Sequence, residues 1–264
     1  MSTVSGKKVF ITGASSGIGA DLAVGLARAG ATVGLCARRR DRLDEVLASC
    51  REHAPGSQAF PFDLAKLDEL PAFILGADDA MGGIDILVNN AGMPKRRRAM
   101  ALSPQDVEGV MAVNYFSPVR LTVTLLPRML ERGGGRIVNV SSIAAFLSSP
   151  GESAYAASKA ALTAWSESLS MELSRKPISV HLVYPGIIDT EIFHLPDNDP
   201  LPEGVADALP ASAVTEAVLA QLESGAVESW IPEQFHDIIR SKSKDLDSYL
   251  KMAGDWYAGQ WGDT

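Results

Sequence analysis

Residues 9–37, "VFITGASSGIGADLAVGLARAGATVGLCA", run from a strand-length apolar segment through a glycine-rich turn into a helix, then into a second apolar segment. Val9, Phe10 and Ile11 read as a short buried strand, and the periodicity predicts a helix over Ile18 to Ala29. Gly30 stands where a helix ends on a left-handed residue. Ala31 to Ala37 reads as the second strand. Gly13, Gly17 and Gly19 fall between strand and helix. Glycine there permits a tight turn and close approach of backbone to a pyrophosphate, whose charge the free N–H groups and dipole of a helix N-terminus favour. In this setting the spacing T-G-x-x-x-G-x-G points to a dinucleotide cradle rather than a purely structural turn. Gly13, Ser15, Ser16, Gly17, Ile18 and Gly19 are the expected contacts.

The alternation continues along the chain. Helices are expected over Asp41–Cys50, Leu67–Ala80, Pro104–Arg132, Ala154–Leu173, Ala213–Glu223 and Gln234–Met252. Strands are expected at Ala59–Phe62, in "IDILVNNAG", "GRIVNVSS" and "ISVHLVYPG", and in "ESWIPE". Short apolar runs alternating with helices predict an α/β fold: a Rossmann-type, doubly wound parallel sheet of about seven strands with helices on both faces, in a single domain over 1–264. Four prolines (Pro196, Pro200, Pro202, Pro210) break the regularity after Gly186. A loop of that length is expected to act as a substrate lid over 190–212, with a C-terminal helix and tail over 233–264.

A net charge of −8 and a pI near 5.1 argue against a nucleic-acid partner, which needs a broad cationic field. Cys36 and Cys50 form no C-x-x-C pair, and His53, His181, His194 and His236 do not stand at ligand spacing, so neither a disulfide framework nor a metal site is expected. Met1 to Lys8 lacks the apolar core of a signal peptide, and no run approaches the ~18 residues of a membrane span. A cytoplasmic setting is the expectation.

Against that acidic background "CARRRDR", residues 36–42, packs four arginines into seven positions. An acid at the end of the second strand would bond the 2′-hydroxyl of NAD, whereas an arginine favours the 2′-phosphate of NADP. Ala37 holds the acid's place and Arg38 follows, so Arg38 is expected to read the phosphate with its guanidinium fork. Arg39, Arg40 and Arg42 are expected to be solvated helix charges paired with Asp41, Asp44 and Glu45. The cofactor expected is NADP(H), ahead of NAD(H).

Tyr155 and Lys159 stand four apart on one helix, which puts both on one face about 6 Å apart. A nearby ammonium stabilises the phenolate and lowers a pKa that is ordinarily near 10, which suits Tyr155 to acid–base work. Ser142 closes the fifth strand thirteen positions earlier and can hydrogen-bond an oxygen on which charge develops. Ser141, its neighbour, should point to the other side of the strand.

The glycine spacing, "NNAG" at 89–92, Asn114, "SS" at 141–142, "YAASK" at 155–159 and "PGIIDT" at 185–190 together resemble the compact branch of the short-chain dehydrogenase/reductase family, over about Lys7 to Trp230. The resemblance implies that Tyr155 donates the proton in reduction, Ser142 orients the carbonyl and Lys159 also holds the nicotinamide ribose. It implies that Asn114 positions a water for proton relay and that Asp63 holds the adenine amino group, although Asp63 could instead cap a helix. It further implies that Asn90 stabilises the sheet and borders the cofactor while Ala91 and Gly92 leave room for the adenine ribose. In the cofactor-side turn of Pro185 and Gly186, it implies that the Ile188 backbone and the Thr190 hydroxyl grip the nicotinamide carboxamide. The expected activity is interconversion of a ketone or aldehyde and its alcohol on an apolar small molecule, by a homodimer or homotetramer. An NAD-preferring dehydrogenase and a non-catalytic NADP(H)-binding module are the alternatives, and an epimerase or dehydratase would ordinarily carry another glycine spacing. Two features stay open. "PKRRRA" (Lys95 to Arg98) is either a solvated or subunit face or a site for an anionic substrate portion. Trp256, Tyr257 and Trp261 serve either core or oligomer packing, or a wall of the substrate pocket or a lipid-facing patch.

Overall fold

The computed structural model describes residues 3–199 and 208–261. Seven strands, β1 (Lys8–Thr12), β2 (Thr32–Ala37), β3 (Gln58–Pro61), β4 (Ile86–Asn89), β5 (Gly135–Val140), β6 (Ile178–Pro185) and β7 (Glu228–Ile231), form one sheet. All pairings are parallel and the order is β3-β2-β1-β4-β5-β6-β7. Because β1 pairs with β2 on one side and β4 on the other, the winding reverses there and leaves a crevice at the strands' C-terminal ends.

Helices cover both faces. Val9, Ile11, Val33, Leu35, Ile86 and Val88 pack with Leu22 and Leu26 of α1 (Gly17–Arg28), Leu43 of α2 (Arg40–Arg51) and Val214 and Val218 of α7 (Ala211–Ser224). Phe10, Leu87 and Ile137 point the other way. They meet Leu70 and Ile74 of α3 (Leu70–Met81), Leu121 and Leu125 of α5 (Ser117–Glu131) and Leu169 of α6 (Ser153–Glu172). Two buried faces explain why the strands read as unbroken apolar runs rather than alternating ones. On the second face Asp78 is buried between Arg132 and Arg128, and it also accepts from the Ile84 N–H at 2.7 Å.

Two helices differ from expectation. The long helix over Pro104–Arg132 is α4 (Pro104–Met111) and α5 joined by one wide turn, Ala112–Phe116, in which the Ser117 N–H bonds Ala112 O, five residues back. Pro118 lies just beyond and has no N–H to return to the Asn114 carbonyl. The final helix, expected over Gln234–Met252, is instead α8 (Phe235–Lys244) and α9 (Leu246–Trp261), broken at extended Asp245. The Asp245 carboxylate accepts from the Ser248 N–H at 3.0 Å and from its hydroxyl at 2.7 Å. No helix among the described residues is long and apolar enough to cross a membrane.

Of the expected lid, 190–199 and 208–212 are described; they include a short 3-10 turn, Glu191–His194, and the start of α7. Pro200 and Pro202 lie outside the described residues, as do the last three residues of the tail. Trp256 packs edge-on to Tyr257 and is 42% exposed, so it is not a core residue within one chain.

Candidate active site

The strand ends open into a cleft of about 330 Å³, within the range of small-molecule and cofactor sites. Every site residue expected from the sequence lines it except Asn114.

At one end lies the glycine turn. A Cβ on Gly19 would come within 2.3 Å of Gly13 O and 2.5 Å of Asn90 Nδ2, and one on Gly13 within 2.7 Å of Ala91 Cα. Gly17, at φ +53°, faces Thr190 Cγ2 2.8 Å from its missing Cβ. The turn is therefore closed on "NNAG" from one side and on the loop after β6 from the other. Thr12, which the sequence reading did not single out, fixes the first contact. Its hydroxyl accepts from the N–H groups of Asn90 (3.0 Å) and Ala91 (3.1 Å), and Asn90 Nδ2 donates to Thr12 O at 2.9 Å. A dinucleotide suits this end, where the backbone is bare and the α1 N-terminus faces the cleft.

At the other end stand Ser142, Tyr155 and Lys159. Ser142 follows β5 and is held by the Ala144 N–H, which donates to its Oγ at 3.1 Å. Tyr155 and Lys159 project from one face of α6, with Nζ 5.8 Å from the phenol ring centre. Nζ is buried and donates to Val140 O at 2.8 Å. Ser141 faces away as expected, bonding Lys159 O (3.1 Å) and Thr163 Oγ1 (2.9 Å). Burial disfavours both charged forms. It pushes the phenol up to about 12, aided by the Glu152 charge and opposed by the hydrogen bond with Ser142. It pulls the Lys159 ammonium down to about 8. Among the protein's own groups, then, burial outweighs the lowering of the phenol that a neighbouring lysine was expected to bring.

Asn114 sits behind this wall in the wide turn. Its Oδ1 accepts from the Met93 N–H at 2.7 Å, and its Nδ2 donates to Met93 O and to Ser158 Oγ, both at 3.0 Å. The side chain thus ties the loop after β4 to α6, one residue from Lys159, and does not reach the cleft.

A family model described as short chain dehydrogenase matches residues 7–199. The chain belongs to the short-chain dehydrogenase/reductase family. Among curated relatives, a fatty acyl-CoA reductase of Acinetobacter baylyi is 41% identical over 192 residues, 71% of this chain and 64% of that protein. This family member therefore spans less than two thirds of that relative's length. A Sphingobium yanoikuyae short-chain dehydrogenase, solved with NADPH, matches with a TM-score of 0.80 and 30% identity over 94% of this chain and 95% of that one. A Burkholderia phymatum dehydrogenase, solved with NAD, matches with a TM-score of 0.84 and 23% identity over 94% and 97%, a likeness of fold alone.

In this member of the family the two arginine runs depart from the sequence reading. Arg38 is exposed, lines the cleft and pairs with no acid among the described residues. Arg40 pairs with Asp44 at 3.5 Å, as a solvated helix charge should. Arg39 and Arg42 do not: both reach across the cleft mouth to Glu191, and Arg39 Nη2 also donates to Ser15 Oγ (3.2 Å) and Ser16 Oγ (2.9 Å). Asp63 lines the cleft while its Oδ1 accepts from the Ala65 N–H at 3.1 Å, so it also closes its own turn.

In "PKRRRA", Lys95 and Arg96 are buried at 6% and 3% exposure rather than solvated. Lys95 pairs with Asp106 (2.8 Å) and Asp197, and Arg97 also with Asp197. Arg96 donates to Asp199 O (2.6 Å) and Phe193 O (3.1 Å) and lies 3.7 Å from Glu152. The run is a clamp that fastens the described part of the loop after β6 to the loop after β4. With these cations matched by acids of the same chain, the cluster offers little to an outside anion. That loop in turn sets Ile192, Phe193 and Leu195 along the cleft.

Proposed function

We propose that this chain is an NADP(H)-dependent oxidoreductase that interconverts an apolar ketone or aldehyde and its alcohol, with Tyr155 as general acid and base. The observation that carries this reading is one cleft holding Ser142, Tyr155 and Lys159 at one end and a bare glycine turn at the other. The residues fit a dinucleotide: Gly13, Gly17 and Gly19 leave space that any side chain would fill, with Asn90, Ala91 and Gly92 alongside. Ala37 and Arg38 suit a 2′-phosphate, Asp63 an adenine amino group, and Ile188 and Thr190 a carboxamide. When bound, the dinucleotide supplies or accepts the hydride at the carbinol carbon.

The chain's own groups handle the oxygen and the proton. Ser142 Oγ orients the carbonyl oxygen within reach of the Tyr155 hydroxyl. The cleft keeps that phenol protonated at neutral pH, the form a donor for reduction requires. Lys159, near 8, is mostly an ammonium at pH 7 and stabilises the phenolate that donation leaves. Asn114 serves as a positioning residue, holding Met93 and Ser158 and through them the wall that carries Lys159. Ile192, Phe193 and Leu195 support an apolar substrate, and the name of the Acinetobacter relative points to an acyl chain. Neighbours carry both NADPH and NAD, so the cofactor preference rests on Ala37 and Arg38. A homo-oligomeric, cytoplasmic enzyme accords with this reading, and sedimentation tests the assembly.

The test is NADPH oxidation over a panel of ketones and aldehydes of graded chain length, with NADH in parallel. Wild type should turn over apolar members faster with NADPH, Arg38→Asp should reverse that preference, and Tyr155→Phe should lose about 10²–10⁴-fold in rate. Full activity in Tyr155→Phe overturns the mechanism. NADPH activity untouched in Arg38→Asp overturns the cofactor assignment.

A further inference from the structure

We infer that Glu191 is a cofactor-specificity residue: its carboxylate occupies an anion position formed by Ser16, Arg39 and Arg42, and a 2′-phosphate binds by taking those donors from it. The inference rests on the NADP(H) reading above and adds a residue on the far side of the cleft to it.

Glu191 follows Thr190, which packs against Gly17, so the loop after β6 delivers this carboxylate to the glycine turn. Oε1 accepts from Ser16 Oγ at 2.7 Å and from Arg39 Nη2; Oε2 accepts from Arg42 Nη1 at 2.8 Å. Arg39 Nη2 lies at the same time on Ser15 and Ser16. Two guanidinium groups and a serine hydroxyl beside the N-terminus of α1 make up an anion site, the donor set by which proteins hold phosphate. The donors hold the Glu191 carboxyl down at about 2, so it is ionised at any working pH.

The tie is strong enough to matter and weak enough to break. Side chains of Arg39, Arg42 and Glu191 are 40%, 47% and 35% exposed, and ion pairs that wet are worth little against water. A phosphate monoester carries close to twice the charge of a carboxylate and three acceptor oxygens. It competes for Arg39 and Arg42 with Arg38 as a third cation beside them. Taking the arginines from Glu191 nevertheless costs part of the binding free energy. That cost falls on a cofactor with a 2′-phosphate and much less on one with a free 2′-hydroxyl. Glu191 thereby tempers the preference for NADP(H) that Arg38 confers, and ties cofactor binding to the position of the loop that carries Phe193.

The experiment is calorimetric titration of the whole chain with NADPH and with NADH, which needs no turnover, on wild type, Glu191→Gln, Arg39→Gln and the double variant. Glutamine keeps the size and removes the charge. Glu191→Gln should bind NADPH about tenfold more tightly and NADH within about threefold of wild type. In the Arg39→Gln background the same change should do little, because the competition is gone. If wild type shows no preference for NADPH, the cofactor reading fails and this inference with it. If wild type prefers NADPH and Glu191→Gln leaves the ratio unchanged, or weakens NADPH binding, the cofactor reading stands. Glu191 is then a structural tie or a clasp over the cofactor, and the inference alone is overturned.

Discussion

Replacing Lys159 with methionine should stabilise the fold at neutral pH while abolishing activity, and the gain should vanish in alkali. Nζ is buried with Val140 O as its bonded partner at 2.8 Å, and burial lowers the ammonium from its ordinary 10.5 to about 8. Below pH 8 the lysine is protonated in folded and unfolded chains alike, and the folded state carries the full cost of a buried ammonium. Between about 8 and 10.5 the unfolded chain keeps the proton and the folded one releases it, so stability rises with pH. Above 10.5 both are neutral and the cost is gone. At about 1.4 kcal/mol per pH unit, that interval corresponds to roughly 3 kcal/mol. Methionine has similar length and no charge, but it leaves Val140 O without its donor, a loss of about 1 kcal/mol. The net expectation is a variant about 2 kcal/mol more stable at pH 7 and no more stable than wild type near pH 10. Urea denaturation of both proteins at the two pH values gives the comparison, and the difference between them cancels other titrating groups. A Lys159→Met protein less stable than wild type at pH 7, or with the same gain at pH 10, refutes the idea that catalytic placement of this lysine opposes folding.

Gly19→Ala sets two effects against each other. Helix propensity favours alanine by about 1 kcal/mol, but a Cβ 2.3 Å from Gly13 O forces the turn apart at about 1–3 kcal/mol, so Tm should fall and dinucleotide affinity with it; an unchanged or higher Tm shows that the turn gives way easily. Asp78→Asn leaves Arg132 and Arg128 facing a neutral group and should cost about 3–5 kcal/mol by denaturation at pH 7. Because those arginines hold the Asp78 carboxyl below its ordinary 3.8, its contribution is present above about pH 4 and lost as pH falls through the lowered value, so wild type and variant should converge in acid. Arg96→Ala removes the donor to Phe193 O and Asp199 O and leaves Glu152 half-buried without its cation; stability should fall by about 2–4 kcal/mol and KM should rise more than kcat falls, and unchanged kinetics would separate the clamp from the substrate wall.

Local features of the sequence were sufficient for the scaffold. Val9, Phe10 and Ile11 carry their strand in consecutive apolar residues, and Gly30 and Pro118 act within a turn of their own positions. The break at Asp245 was equally readable, since an aspartate three residues before Ser248 is a helix-start pattern; the apolar periodicity running through it masked the signal. Charges are different, because an ion pair has no local signature when its members are far apart in the chain. Arg39 and Arg42 looked like Arg40, yet their partner Glu191 lies about 150 residues on, at the start of the short 3-10 turn after β6. Lys95 and Arg96 read as a solvated run because two of the acids they meet are far along the chain, Glu152 beside Arg96 and Asp197 beside Lys95; only Asp106, eleven residues from Lys95, is near in sequence. Both misreadings meet on one element, the loop after β6. Its acids are drawn at one point to the glycine turn and at another to the loop after β4, one on each side of the cleft. Glu191 and Asp197 are six residues apart, and Phe193 and Leu195, which line the cleft, lie between them in the chain. The arginines that least resembled functional residues thus hold the loop that lines the cleft, through the same segment that sets Thr190 against the glycine turn.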